Sequence, residues 1–228
     1  MTFPFLHTAD HGPGRLTEVA TFKRSAITTE RYNEVFESIA GIIFKFPVSR
    51  QLLIGSKAGE ADISVLVGDW TSAEEKDEFE PGEQYQSVKP AFAELIDEKD
   101  PKFTCHHIIL DGGAERTPAA AVYAVIVVKT PVDKQAELYS VFSSMRLGDA
   151  DVTFAAAAPS REDPETVVLY CGFTNGALAH ARLQTVRDSE SLRPYVLATA
   201  HLLDKMEETI RPLGQIESSY TATLMRLF

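Results

Sequence analysis

Apolar and polar residues alternate from Leu16 to Arg24 in a stretch rich in Val, Thr and Phe, a pattern that predicts a β-strand. From Tyr32 the period changes. Val35, Phe36, Ile39, Ile42, Ile43 and Phe46 recur at helical spacing behind a capping Thr28 or Thr29, and Pro47 stops the run. Two further strands are expected at Arg50–Ser56 and Asp62–Trp70, joined by a turn at 57–60. Thr71-Ser-Ala-Glu74 reads as a capping box, in which the Thr71 hydroxyl and the Glu74 carboxylate satisfy each other's backbone amides. The acidic helix behind it ends at Pro81-Gly82. A second helix then carries Tyr85, Val88, Phe92, Leu95 and Ile96 on one face, with Pro90 expected to kink it or mark its first turn. Phe103–Leu110 completes the half as a strand.

The same order returns. Strands are expected at Ala121–Lys129, Val152–Ala158, Thr166–Phe173 and Gln215–Leu227. A helix opened by Thr130-Pro131 turns Leu138, Val141, Phe142 and Met145 inward, and further helices are expected at 176–187 and 192–211. Trp70 and Phe173 lie 103 residues apart, and Pro90 and Pro194 lie 104 apart, so the halves superimpose at a nearly constant offset. Strand, helix, strand, strand, helix, strand is the ferredoxin-like βαββαβ unit. One such sheet has a bare face, and two can bury theirs against each other. The predicted class is therefore α+β: tandem ferredoxin-like repeats forming an intrachain dimeric α/β barrel. Its parts are an irregular arm (1–14), a first lobe (15–112), a linker (113–118) and a second lobe (119–228). Because one chain supplies both lobes, a monomer or weak homodimer is expected.

Charge narrows the partners. Residues 1–113 hold 11 Lys/Arg against 19 Asp/Glu, a balance of -8, and residues 114–228 hold 11 against 14, a balance of -3. With no basic stripe to neutralise phosphates, nucleic acid and anionic membrane surfaces are poor partners. No apolar run reaches the roughly 18 residues of a membrane helix, and the first residues lack a basic, cleavable leader pattern. Cys105 and Cys171 lie in strand-like runs without metal-type spacing, which favours reduced thiols and a cytoplasmic location. His7 and His11 lie four apart, but the prolines and glycines around them oppose a helix that would align them on a metal.

The stretch Asp69-Trp70-Thr71-Ser-Ala-Glu74-Glu-Lys76-Asp77-Glu-Phe79, followed by Tyr85 and Cys105-His106-His107, resembles the antibiotic biosynthesis monooxygenase family of the dimeric α/β-barrel superfamily, its fungal members especially. The resemblance covers residues 15–110. The second half resembles that family only in its order of elements, as a degenerate copy. Two positions depart from the family pattern: Cys105 stands at the first His of a His-x-His, and Lys76 stands where the helix often carries His.

The resemblance implies a pocket between sheet and helices for a flat, often phenolic polyketide. It also implies oxygenation with no cofactor, whether metal or flavin. A base makes the phenolate, the electron-rich ring reacts with oxygen, and a dry cavity holds the anion. Cyclisation and isomerisation are also found in such folds, so the fold does not choose the reaction.

Strand alternation puts His106 and His107 on opposite faces, so only one can face that pocket. His107 matches the family position and is the first candidate catalytic residue, with His106 second. His107 also falls in a stripe with Phe103, Cys105 and Ile109 that reads equally as core. Trp70, Tyr85, Asp69 and Phe92 are the candidate substrate contacts, with Trp70 also a natural core anchor. In the second half Phe173 replaces Trp70, and Thr223 falls roughly where His107 would. His180 and His201 fall on the expected helices of the second half, and His201 could in principle serve as a haem ligand, though its surroundings read equally as an amphipathic helix face. Two classes of function follow: a cofactor-free enzyme tailoring an aromatic polyketide, or a barrel protein that binds a small molecule without chemistry.

Overall fold

The computed structural model describes residues 5–7, 15–43, 45–46, 49–110, 122–145, 151–174 and 203–226. The linker 113–118, the helix at 176–187, residues 192–202 and the histidines His11, His180 and His201 lie outside the described residues. The chain divides into two compact units, Met1–Asp10 with Pro118–Leu224, and His11–Thr117 with Met225–Phe228.

In the second of these, the first lobe of the sequence, Arg15–Lys23 forms β2, Ser49–Lys57 β3, Glu60–Trp70 β4 and Thr104–Leu110 β5. Their antiparallel pairings give the order β3-β4-β2-β5. The turn between β3 and β4 places Gly59 at φ 80°, a left-handed conformation that suits glycine. Helix α1 (Thr29–Ile43) is opened by Thr28, whose hydroxyl accepts from the Arg31 amide at 3.2 Å. Tyr32, Val35, Phe36, Ile39 and Ile43 bury one face of it against Ala20, Phe22, Leu52, Ile54 and Leu66 of the sheet. Each fully buried aliphatic side chain contributes about 1.5–3 kcal/mol through area removed from water.

Helices α2 (Ala73–Phe79) and α3 (Glu83–Leu95) follow β4. The cap of α2 falls one residue later than expected. Ser72, in extended backbone, accepts from the Glu75 amide at 3.1 Å, so the Ser-x-x-Glu pattern that operates is 72–75 and not 71–74. Helix α3 starts after Gly82 and runs through Pro90, which neither begins nor ends it. Pro90 is exposed, so water can satisfy the carbonyl its ring leaves without a donor. Ile96 lies past the helix, in an isolated bridge to Arg24.

The other unit repeats the plan with β6 (Val122–Lys129), α4 (Gln135–Ser144), β7 (Asp151–Pro159), β8 (Thr166–Thr174) and β9 (Gln215–Arg226), in the order β7-β8-β6-β9. A 3-10 turn at Val132–Lys134 opens α4. The Thr130 hydroxyl, expected to cap that helix, instead donates to the Leu213 carbonyl at 2.8 Å. Leu138, Tyr139, Phe142 and Met145 pack with Met206 and Ile210, from the helical residues 203–210, against Ile126, Val128 and Leu169. Within the arm read as irregular, Phe5–His7 forms a short strand, β1, parallel to β7 at Ala155–Ala157. The class is thus α+β, two tandem ferredoxin-like units. Among the described residues, no helix is long and apolar enough to cross a membrane.

Candidate functional site

Register brings the polar residues of the first lobe together. Glu18 of β2 pairs with Gly68 of β4 on one side and with His107 of β5 on the other, while Leu16 pairs with Trp70. Alternation turns Leu16, Ala20 and Phe22 toward the helices, where they join the hydrophobic clusters, and Glu18 shares that face with Trp70, Cys105 and His107. Glu18 Oε2 lies 3.5 Å from His107 Nε2, and both side chains keep partial access to solvent, at 20% and 16%. Cys105 Sγ lies 3.9 Å from Glu18 Oε1 and 3.9 Å from His107 Nε2. The Trp70 indole Nε1 donates to Glu18 Oε2 at 3.2 Å.

Helices α2 and α3 bring aromatic rings and one cation to this face. Phe79 lies 6.0 Å from the Trp70 ring and 5.7 Å from Tyr85, the latter edge-on. Lys76 is the inward residue of an otherwise acidic helix, only 3% exposed. Its Nζ pairs with Glu80 and stands 5.6 Å over the Trp70 ring. Burial alone would push the Glu18 carboxyl up. The hydrogen bond and charge of His107, the charge of Lys76 and the Trp70 N–H outweigh it and hold Glu18 below the usual range. The Tyr85 phenol is pushed well up, first by burial and then by the negative charges of Glu18 and Glu80, so it stays a hydrogen-bond donor. An ionised carboxylate, an imidazole and a protonated phenol, flanked by rings, can hold a planar molecule by its face and exchange a proton with its oxygen.

The sequence candidates divide on this geometry. His107, Trp70 and Tyr85 gather on the helix-facing side. His106, opposite Val19 in the register, points from the other face of β5. Asp69 is also on that other face, buried, accepting from the Thr17 hydroxyl at 2.8 Å and lying 3.8 Å from Arg15 Nε, and so serves the sheet. Phe92 packs with Tyr85 and Cys105 on the α1–α3 hydrophobic cluster. The residues that sequence reasoning missed are Glu18, Cys105 as a partner, and Lys76. Glu18 had a signal, as the only charged residue in the inward stripe Leu16, Glu18, Ala20, Phe22.

Among the described residues, the second lobe lacks the group. Phe173 pairs with Val122 as Trp70 pairs with Leu16, which puts Ala124 in the place of Glu18; its partner on β9 is Thr221. The counterpart of His107 by strand register is therefore Thr221, two residues before Thr223.

No family profile and no curated protein matches the sequence. Solved structures do. A provisionally named monooxygenase from Fusobacterium nucleatum superposes with a TM-score of 0.59 at 10% identity, over 95% of this chain and 94% of that one. An anthrone oxidase-like protein does so with 0.58 at 13%, over 94% and 93%. The chain shares their fold. A further provisionally named monooxygenase, from Lactobacillus acidophilus, gives 0.52 at 9% identity over 93% and 94%. These likenesses span both lobes, and at such identities they speak to the fold alone.

Proposed function

We propose that the helix-facing side of the first lobe binds a small aromatic molecule bearing a phenolic or carbonyl oxygen, and that His107, held by Glu18, accepts its proton. The observation that carries this reading is the Glu18–His107 pair, 3.5 Å apart and partly open to solvent, set beside Trp70. In this reading Trp70 and Phe79 supply the ring contact, and Tyr85 donates to the second oxygen of the substrate. Forming the phenolate is the step that needs the protein, and the ring then reacts with oxygen without an organic cofactor. The chain is thus a tailoring enzyme of monooxygenase type acting on an aromatic polyketide or a related phenolic product. The names of the structures that share its fold are in keeping with that chemistry. It carries both lobes and works as a monomer or weak homodimer.

Trp70 is the only tryptophan, so its fluorescence reports on the site. Titration with a tricyclic phenolic ketone such as an anthrone should quench it saturably, and metal-chelated protein should then consume oxygen with that compound. Saturable quenching without turnover would mark a binding protein instead, and no quenching would reject the site.

A further inference from the structure

The three side chains at the centre of the first lobe converge in a way that proton transfer does not require. In a thiol–imidazole–carboxylate relay the thiol and the acid engage opposite ring nitrogens. Here Cys105 Sγ and the Glu18 carboxylate both approach the same atom, His107 Nε2, at 3.9 and 3.5 Å. Glu18 Oε1 closes the triangle to Sγ at 3.9 Å. One ligand atom from each residue lies within 4.8 Å of the other two.

We propose that Glu18, Cys105 and His107 form a three-ligand site for a divalent cation of the zinc class. Around a tetrahedral zinc ion, ligand distances of about 2.0–2.3 Å put the donors roughly 3.3–3.6 Å from one another. The carboxylate meets His107 through Oε2 and Cys105 through Oε1, and one atom from each residue lies within 4.8 Å of the others, so closing on an ion takes side-chain rotations of up to about 1.5 Å. Thiolate, imidazole and carboxylate are the donors that zinc selects over magnesium or calcium, and the two anions balance a divalent charge. Three protein ligands leave the fourth position to water, and the remaining access to solvent at Glu18 and His107 gives the ion a way in. The Trp70 N–H on Glu18 Oε2 orients the carboxylate as outer partners of metal ligands do. Binding releases one proton, from the Cys105 thiol, as the sulfur becomes a thiolate. The site goes beyond the proton-transfer reading and does not depend on it. An ion on Nε2 takes the Glu18 carboxylate as a ligand, so only the metal-free form keeps the Glu18–His107 pair on which the proton transfer rests.

The test uses metal alone. Chelated protein is titrated with Co²⁺ in the absence of any substrate, followed by the thiolate charge-transfer absorption, and Zn²⁺ is then used to displace it. One equivalent should bind with that absorption, and zinc should raise the melting temperature. Cys105→Ser, His107→Ala and Glu18→Gln should each weaken binding by roughly a hundredfold or more, since even outer partners cost 10–100-fold. His106→Ala, on the other face, should bind as wild type does. Circular dichroism of the chelated variants separates a lost site from a lost fold, and for a variant that fails to fold, Trp70→Phe should show about a tenfold loss instead. Binding without the thiolate band, or equal affinity in wild type and Cys105→Ser, overturns the proposal. Turnover by chelated protein bears on the proton-transfer reading alone, so the two fail separately.

Discussion

Glu18 and His107 sit side by side on neighbouring strands, register partners whose carboxylate and imidazole face each other at 3.5 Å on the side of the sheet that the helices cover. A strand side chain on such a face is ordinarily apolar, as Leu16, Ala20 and Phe22 are. Burying a polar group costs free energy unless it is paired, and these two pair with each other while keeping partial access to solvent.

Trp70 ties this pair to the hydrophobic structure. Trp70→Ala should cost about 3–5 kcal/mol, because the ring fills space among Leu16, Ala73, Phe79 and Ile109. Trp70→Phe keeps most of that packing and removes the donor to Glu18, so about 1–3 kcal/mol is expected. Urea unfolding of the two variants, followed by circular dichroism, measures the difference. No loss in Trp70→Phe would mean that the indole N–H contributes nothing, and equal losses in the two variants would mean that the ring's packing contributes nothing.

The cap of α2 gives a local test. Ser72→Ala should destabilise by about 1 kcal/mol and Ser72→Gly by only a few tenths, the signature of an N-cap position. If Thr71→Ala rather than Ser72→Ala produced this loss, the helix would begin where the sequence pattern first placed it.

Alkaline pH should unfold the protein through its phenols. Burial raises Tyr32, Tyr85, Tyr139 and Tyr220, with Tyr139 reaching about 12. A phenol raised in the folded state contributes stability that is fully present below its unfolded value, near 10, and is lost as pH rises through the folded value. Absorbance at 295 nm and circular dichroism between about pH 9 and 12 should therefore change together for these four. Their ionisation near pH 10 with the fold intact would contradict the burial.

The fold was legible because period and punctuation agree. The alternation of 16–24, the helical spacing of 32–46 and the second pass through the same order leave little choice but paired βαββαβ units. Boundaries slipped where two residues could do one job, as with Thr71 and Ser72. Half of the site was legible for a similar reason, since alternation separates His107 from His106. The other half was hidden by chain distance. Glu18 and Cys105 are 87 residues apart, and only strand register makes them neighbours. Asp69 lies apart from the group because its place beside Trp70 in sequence puts it on the opposite face of the strand, beside Thr17 and Arg15. Lys76 looked like part of a solvated acidic helix, and one turn of that helix points it inward over Trp70.

The role of His107 is tested most directly by comparing His107→Ala with His106→Ala in oxygen consumption on a phenolic tricyclic ketone, with chelator present and no flavin added. The two residues are adjacent on one strand, so damage to the strand should be similar, and only one faces Glu18. The account predicts that His107→Ala loses roughly a hundredfold or more in turnover with its fold intact, while His106→Ala stays within a few-fold of wild type. Equal, small losses in both variants would contradict it and leave the histidines as packing residues.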